Sequence, residues 1–270
     1  MSLGLNWINP EDYSFNCLLL MERFQLQMMF GRDDAAWKRN MGIALNANPA
    51  VMWYVKNRCP ERAVIIDRLA ADAPCATDSN EIRKAEVYLI ADMEDWVIYT
   101  TPEAMAKGCD FIRGWDKVRL FNLADFDGKV VLDVGAGSGR LTFAAAEKAA
   151  WVYASEPVET LREFMRDKIK SEGISNVRVL DGLVTELPFP DNTFDIVMSG
   201  HVVGDAYDEE IAELTRVCKS GGWLLDCPGD SEEAYESAEF EALISRGWEE
   251  IHYVGSFGKD VFCYRKQVVK

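Results

Sequence analysis

The chain has 270 residues, 49% of them hydrophobic and 27% charged, which is enough apolar material for a full core and excludes global disorder. Its 45 Asp and Glu against 29 Lys and Arg give a net charge of -16, and the excess is uneven: residues 1–129 carry 19 acids against 15 bases, residues 130–270 carry 26 against 14. Gripping nucleic-acid phosphates needs clustered cations, so this balance argues against a nucleic-acid partner or an anionic membrane surface and for a small or neutral substrate.

From Asp12 to about Asn122 apolar residues recur at spacings of three and four, the mark of helices. Ser14 is placed to cap a helix running to Phe30, with Gly31 as its stop. Further helices are expected at 35–45, 49–56, 61–71 and 80–93, and Thr101-Pro102 starts a short one that ends at Gly108. A last helix over 111–123 would bury Trp115, Val118, Leu120 and Phe121, and Asp125-Phe126-Asp127-Gly128 then reads as a turn.

Beyond Gly128 strands and helices alternate. Strands are expected at 129–134, 151–155, 177–180, 194–199 and 223–227, and helices at 139–149, 158–171, 208–219 and 232–246. Gly173, Gly221-Gly222 and Gly247 serve as the stops of the last three helices. Two more strands, near 250–254 and 261–265, are joined by Gly255-Ser256-Phe257-Gly258, too short for a helical crossover, so that pair should be antiparallel. The sum is an α/β fold: a Rossmann-like seven-stranded sheet, mostly parallel with an antiparallel last strand, preceded by a mainly helical N-terminal segment. The division expected is a helical segment over 1–110 and an α/β domain over 111–270.

Seven cysteines (Cys17, Cys59, Cys75, Cys109, Cys218, Cys227, Cys263) form no C-x-x-C pair and no zinc-like spacing, so each reads as a small buried residue and no metal is expected. The apolar run at Cys17–Met21 is interrupted by Glu22, Arg23, Gln25 and Gln27, so it cannot span a bilayer, and it lacks the flanks of a secretory signal. A soluble, cytoplasmic protein is the expectation.

Chemistry concentrates where Val130–Val134 runs into Gly135-Ala136-Gly137-Ser138-Gly139-Arg140. A glycine-rich turn after a buried strand sits where open parallel sheets bind ligands, and its glycines permit positive φ and close ligand approach. A dinucleotide fingerprint needs a small residue where Arg140 stands, so the G-x-G-x-G spacing departs from it. Asp133 lies two residues before the first glycine. Glu156 ends the next strand, where an acid can accept both hydroxyls of a ribose.

This arrangement resembles motif I and the following acidic motif of the class I S-adenosylmethionine (SAM)-dependent methyltransferases. Downstream, Leu187-Pro188-Phe189-Pro190-Asp191-Asn192-Thr193-Phe194-Asp195 resembles the "LPFPDxxFD" text of the ubiquinone/menaquinone-biosynthesis-type (type 11) branch. Glu213 to Gly222 resembles its "E-x-x-R-V-L-K-P-G-G", with Cys218 and Ser220 as departures. The resemblance covers residues 129–227 and not 1–110. It implies SAM as cofactor, with Asp133 ordering the loop, Gly135, Ala136, Gly137 and Gly139 against the cofactor, Glu156 on the ribose, Pro157 beside the adenine and Ser199 at the end of the fourth strand. The family's adenine-contacting acid falls at Leu183, while Asp181 lies two residues earlier. Either Asp181 bulges inward, or backbone groups of Gly182 and Leu183 make that contact.

Methyl transfer from a sulfonium mainly needs alignment and desolvation, and a base only when the acceptor must lose a proton. His201, just past the fourth strand, is the candidate base, and a structural histidine beside the cofactor is the alternative. Asp205 and Tyr207 share its loop, and His252 reads as a structural or surface residue. Met198-Ser199-Gly200-His201 stands where amino-methylating nucleic-acid enzymes carry Asn/Asp-Pro-Pro-aromatic, which argues against a nucleobase acceptor. Asn48-Pro49-Ala50 is better read as a helix start. Trp37, Trp53, Tyr54, Met28, Met29, Trp96 and Trp115 could line a pocket or fill a helical core. The reading is SAM-dependent methyl transfer to a small molecule, with a SAM-binding protein lacking turnover and a protein or RNA methyltransferase as alternatives.

Overall fold

A computed structural model describes residues 7–230 and 238–270, and the chain separates into two units, Met1–Gly108 and Cys109–Lys270. The first unit is helical, as the three-and-four spacing predicts. Its helices are α1 (Arg23–Met29), α2 (Ala35–Ala47), α3 (Pro49–Arg58), α4 (Ala63–Asp72), α5 (Ser79–Asp92), α6 (Glu94–Val97) and α7 (Pro102–Gly108). Asp34 caps α2 by accepting the Trp37 N–H at 2.7 Å, and Pro49 opens α3 where its missing N–H costs nothing. Gly42 lets α2 press against the backbone at Leu69, where a Cβ would collide with the carbonyl.

The single helix expected from Ser14 to Phe30 is broken. Ser14 caps a 3-10 turn, Phe15–Leu20, and Glu22 restarts the chain as α1 through a capping box with Gln25. The extended backbone at Met21 and Glu22 lets Phe15, Leu18, Met21 and Leu26 all enter one core with Trp37, Leu45, Val55 and Leu89. Trp37 and Met29 are core residues, and Tyr54 and Trp96 pack against them, whereas Trp53 and Met28 are exposed.

In the second unit the helix expected over 111–123 shrinks to one turn, α8 (Val118–Phe121). Gly114 takes φ +69° and ends the turn before it, which is why the longer helix does not form. Leu120 is buried as expected, while Val118 points to solvent.

Among the described residues seven strands form one sheet, β1 (Val130–Val134), β2 (Trp151–Ser155), β3 (Val177–Leu180), β4 (Phe194–Ser199), β5 (Cys218–Asp226), β6 (Glu249–Val254) and β7 (Asp260–Gln267). Their order is β3-β2-β1-β4-β5-β7-β6, parallel except for β7, which runs against both β5 and β6. Helices α9 (Arg140–Ala146), α10 (Glu159–Glu172), α11 (Tyr207–Val217) and α12 (Ala238–Ser245) make the connections. Gly173 and Gly247 take positive φ past α10 and α12, the left-handed conformation that ends a helix. The first half of the helix expected over 232–246 lies outside the described residues. Gly221-Gly222 do not stop α11, which ends at Val217. They lie inside β5, where the register against β4 slips between Phe194 and Ile196 and the two glycines absorb the irregularity.

Buried apolar faces lie on both sides of the sheet, with Val131, Ile196 and Leu225 in one cluster and Leu132, Val197 and Leu224 in the other. The chain reverses its direction of growth between β1 and β4, so their carboxyl ends flank the crevice where such sheets bind ligands.

Candidate active site

Asp133 ends a valine-rich strand with its side chain buried, and the Thr142 hydroxyl donates to its Oδ2 at 2.5 Å. Burial pushes its carboxyl up to about 7, against the opposing pull of Thr142 and of the Arg140 charge. The loop that follows needs its glycines, since Gly135, Gly137 and Gly139 take φ of +62°, +57° and +89°. The Ala136 N–H donates to Ser155 O at 3.1 Å, tying the loop to the end of β2. Val202, from the segment after β4, lies over Gly135 so closely that a Cβ there would collide with it.

Glu156 follows β2 and is 4% exposed. Its Oε2 accepts the Gly137 N–H at 2.8 Å and its Oε1 accepts the Val158 N–H at 2.9 Å. Burial lifts its carboxyl to about 7, although both amides and Arg162 favour the charged form. A carboxylate has about four acceptor positions, so two protein amides leave capacity for two hydroxyls. Pro157 follows, half-buried.

At the end of β3, Asp181 is largely exposed and pairs with Arg162 at 3.4 Å. Gly182 O accepts from the Ser155 hydroxyl at 3.2 Å, and the exposed Leu183 makes a one-residue bridge with Glu186. Ser199, fully buried at the end of β4, donates to Asp226 Oδ1 at 3.1 Å.

His201 takes φ +63°, a strained value for a residue with a Cβ, and its ring lies 4.9 Å from that of Phe111. Surrounding protein and then the Arg140 cation hold the imidazole below the ordinary histidine range, and the exposed face of the residue limits the size of that shift. Asp205 is exposed, Tyr207 lies under Arg246, and His252 pairs with Asp260 at the rim of β6, away from this cluster. Six cysteines are buried and Cys75 is exposed, against the expectation for that one, and none of the seven is in a disulfide. Among the described residues no three metal-ligating side chains gather.

Two features escaped the sequence reading. Arg140 was noted only as a mismatch, yet it reaches the far ends of β4 and β5, with Nη2 donating to Cys227 O at 2.6 Å. The other is a clamp between two matched motifs. Arg216 donates to Leu187 O (3.1 Å), Phe189 O (2.8 Å) and Asp191 (2.8 Å), while Glu213 accepts the Leu187 N–H at 2.7 Å and pairs with Arg216. The "LPFPD" and "E-x-x-R" texts therefore occur together because each holds the other. Likewise Asp195 joins the start of β1, through the Val130 N–H at 2.9 Å, to Lys219 at 2.8 Å.

Known proteins point the same way. Residues 132–226 match the family described as "Methyltransferase domain" (type 11). A demethylmenaquinone methyltransferase of Geobacillus stearothermophilus is 36% identical over 112 residues, covering 40% of this chain and 47% of that protein. An uncharacterized methyltransferase of Geobacillus thermodenitrificans is 29% identical over 148 residues, covering 53% and 66%. The chain thus spans about half to two thirds of the length of these relatives. A chain from the complex between the Haloferax volcanii Trm112 methyltransferase activator and a methyltransferase shares the fold, with TM-score 0.50, 15% identity, and 66% and 96% of the two chains covered. The fold is an open α/β sheet with a glycine loop after its first strand, and residues 132–226 of it match a methyltransferase domain. Over those residues the chain is similar to methyltransferases.

Proposed function

We propose that the protein transfers a methyl group from SAM to a small-molecule acceptor, and the buried Glu156 carboxylate, tied to the glycine loop with acceptor capacity remaining, carries the reading. When bound, SAM supplies a methyl group already activated on a sulfonium. Glu156 takes the ribose hydroxyls. Gly135, Ala136, Gly137 and Gly139 allow backbone approach, with Asp133 holding the loop from beneath. Pro157 and the backbone of Gly182 and Leu183 form the adenine side, and Asp181, engaged by Arg162, frames it. Ser199 and Asp226 fix the end of β4. His201 is the proton acceptor for substrates that must lose a proton, and crowding favours its neutral, basic form.

The helical unit selects the acceptor, an assignment by analogy with additions ahead of this fold. The acidic balance favours a small neutral molecule over RNA or a basic-groove partner. Among the described residues no helix is long and apolar enough to cross a membrane, and seven cysteines outside any disulfide favour a reducing, cytoplasmic setting.

Calorimetry with S-adenosylhomocysteine, followed by methyl-labelled SAM against panels of small molecules, peptides and RNA, tests this. Cofactor binding with labelling confined to small molecules is the expected result. Absence of binding would sink the cofactor site, label in peptide or RNA would overturn the acceptor class, and binding without label in any panel would leave a SAM-binding protein.

A further inference from the structure

Pro228, just past β5, carries a carbonyl that serves two side chains at once. Arg140 Nη2 donates to it at 3.2 Å and to the neighbouring Cys227 O at 2.6 Å, and the His201 imidazole donates a ring N–H to it as well. A carbonyl oxygen has two lone pairs, so both donors can be held together. Two glycines permit the approach: a Cβ on Gly200, immediately before His201, would stand 2.6 Å from Cys227 O, and one on Gly229 would stand 2.5 Å from Phe111 O. The Phe111 ring lies 4.9 Å from the imidazole, and the guanidinium carbon lies 4.7 Å from the ring centre of Trp115.

Two properties of the imidazole follow. A neutral imidazole has one N–H and one lone pair, so donation to Pro228 O leaves the lone pair on the other nitrogen, and His201 keeps an exposed face. The second property is charge. Surrounding protein, then the Arg140 cation, oppose a second proton on the ring, while the Pro228 carbonyl and then the Asp110 carboxylate favour it. Arg140 opens α9 and Asp110 lies in the segment before α8, so charges of opposite sign act on the ring from separate elements. Asp110 Oδ1 accepts the Phe111 N–H at 2.9 Å, which ties the carboxylate to the residue whose ring meets the imidazole.

We infer that Arg140 and Asp110 are positioning residues for His201: Arg140 steadies the carbonyl that fixes the imidazole's tautomer, and the two opposed charges keep the ring ready to take a proton and to release it. The inference rests on the reading of His201 as proton acceptor. Arg140 makes the free base the resting form, and Asp110 stabilises the imidazolium once it forms. The proton goes from the acceptor to the free ring nitrogen and from there to water. Neither charged residue needs to touch the acceptor.

The chain has two histidines, and His252 pairs with Asp260, so NMR of the full chain labelled in histidine reads the ring directly, with His252→Asn assigning the signals. Wild-type His201 should show a single neutral tautomer and titrate below the ordinary histidine range. Arg140→Gln should move its midpoint up by about one pH unit, Arg140→Lys should keep it near the wild-type value, and Asp110→Asn should move it down. An amide at position 110 can still accept the Phe111 N–H, so that change removes charge and keeps the contact. A mixture of tautomers in the wild type overturns the role of the shared carbonyl. Equal shifts in Arg140→Gln and Arg140→Lys would mean that only the shape of the site matters, and overturn the inference, as does an unmoved midpoint in Arg140→Gln. Should Arg140→Gln not fold, Asp110→Asn carries the test, and a midpoint unchanged or raised overturns the inference. Full turnover of His201→Asn on an acceptor that must be deprotonated would instead overturn the reading of His201 as a base, whatever the titration shows.

Discussion

Gly137 and Glu156, 19 positions apart in sequence, share a hydrogen bond of 2.8 Å, so the carboxylate proposed to bind the ribose also fixes the glycine loop. Removing it should therefore damage both tasks. Glu156→Ala is expected to lower S-adenosylhomocysteine affinity about 10–100-fold, the worth of lost charge-assisted hydrogen bonds. Calorimetry reads the effect, and wild-type affinity in the variant would refute the role.

Asp133 predicts an unusual pH dependence. Its carboxyl rises in the fold from 3.8 to about 7, so the folded chain binds the proton more tightly than the unfolded chain. The stabilising contribution is therefore complete below about pH 4 and is lost as pH climbs towards 7. Asp133→Asn cannot titrate, and its amide oxygen can still accept from Thr142. Between pH 5 and 7.5 the wild type should lose on the order of 2 kcal/mol relative to this variant in urea unfolding. Parallel pH profiles would contradict the shift.

Gly135→Ala meets two separate penalties. The left-handed backbone costs a Cβ-bearing residue about 1–2 kcal/mol, and the new methyl group strikes Val202. Gly135→Ala with Val202→Ala should recover the steric part and keep the conformational part. Denaturant midpoints for the two single variants and the double variant separate them.

Arg216→Met should cost about 1–3 kcal/mol by releasing the carbonyls of Leu187 and Phe189. A double-mutant cycle with Glu213→Gln should show coupling, because each residue holds the other as well as the 187–191 segment. Additive losses would mean that the clamp does not act as a unit.

His201→Asn keeps a residue that tolerates the left-handed region. We expect S-adenosylhomocysteine affinity within about twofold of wild type and turnover reduced about 100-fold or more for acceptors that must be deprotonated. Full turnover on such an acceptor would leave His201 a structural residue.

The parallel part of the sheet was legible because buried strands and glycine stops act locally: 151–155, 177–180 and 194–199 read as strands and are strands. Boundaries set by tertiary contacts were not. The break at Met21–Glu22 lets two apolar faces reach one core, and no local residue signals it. The strand role of Gly221-Gly222 depends on a register slip against β4. In the candidate site, the proximity of the glycine loop to Glu156 follows from spacing, since one strand–turn–helix–strand unit holds them. Arg140 was visible only as a misfit, because its partners at Cys227, Pro228 and Trp115 lie far along the chain.

The placing of β7 between β5 and β6 reverses the order of synthesis and the order of assembly. Residues 249–254 leave the ribosome before 260–267, yet among the described residues β6 pairs with no strand but β7. Until β7 arrives, β5 presents an open edge and β6 has nothing to join, two templates for pairing with another chain. Aggregation during expression should therefore depend on how soon the 260–267 segment inserts, and charge-neutralising changes in Arg265 or Lys266 would act there before they act on the finished fold.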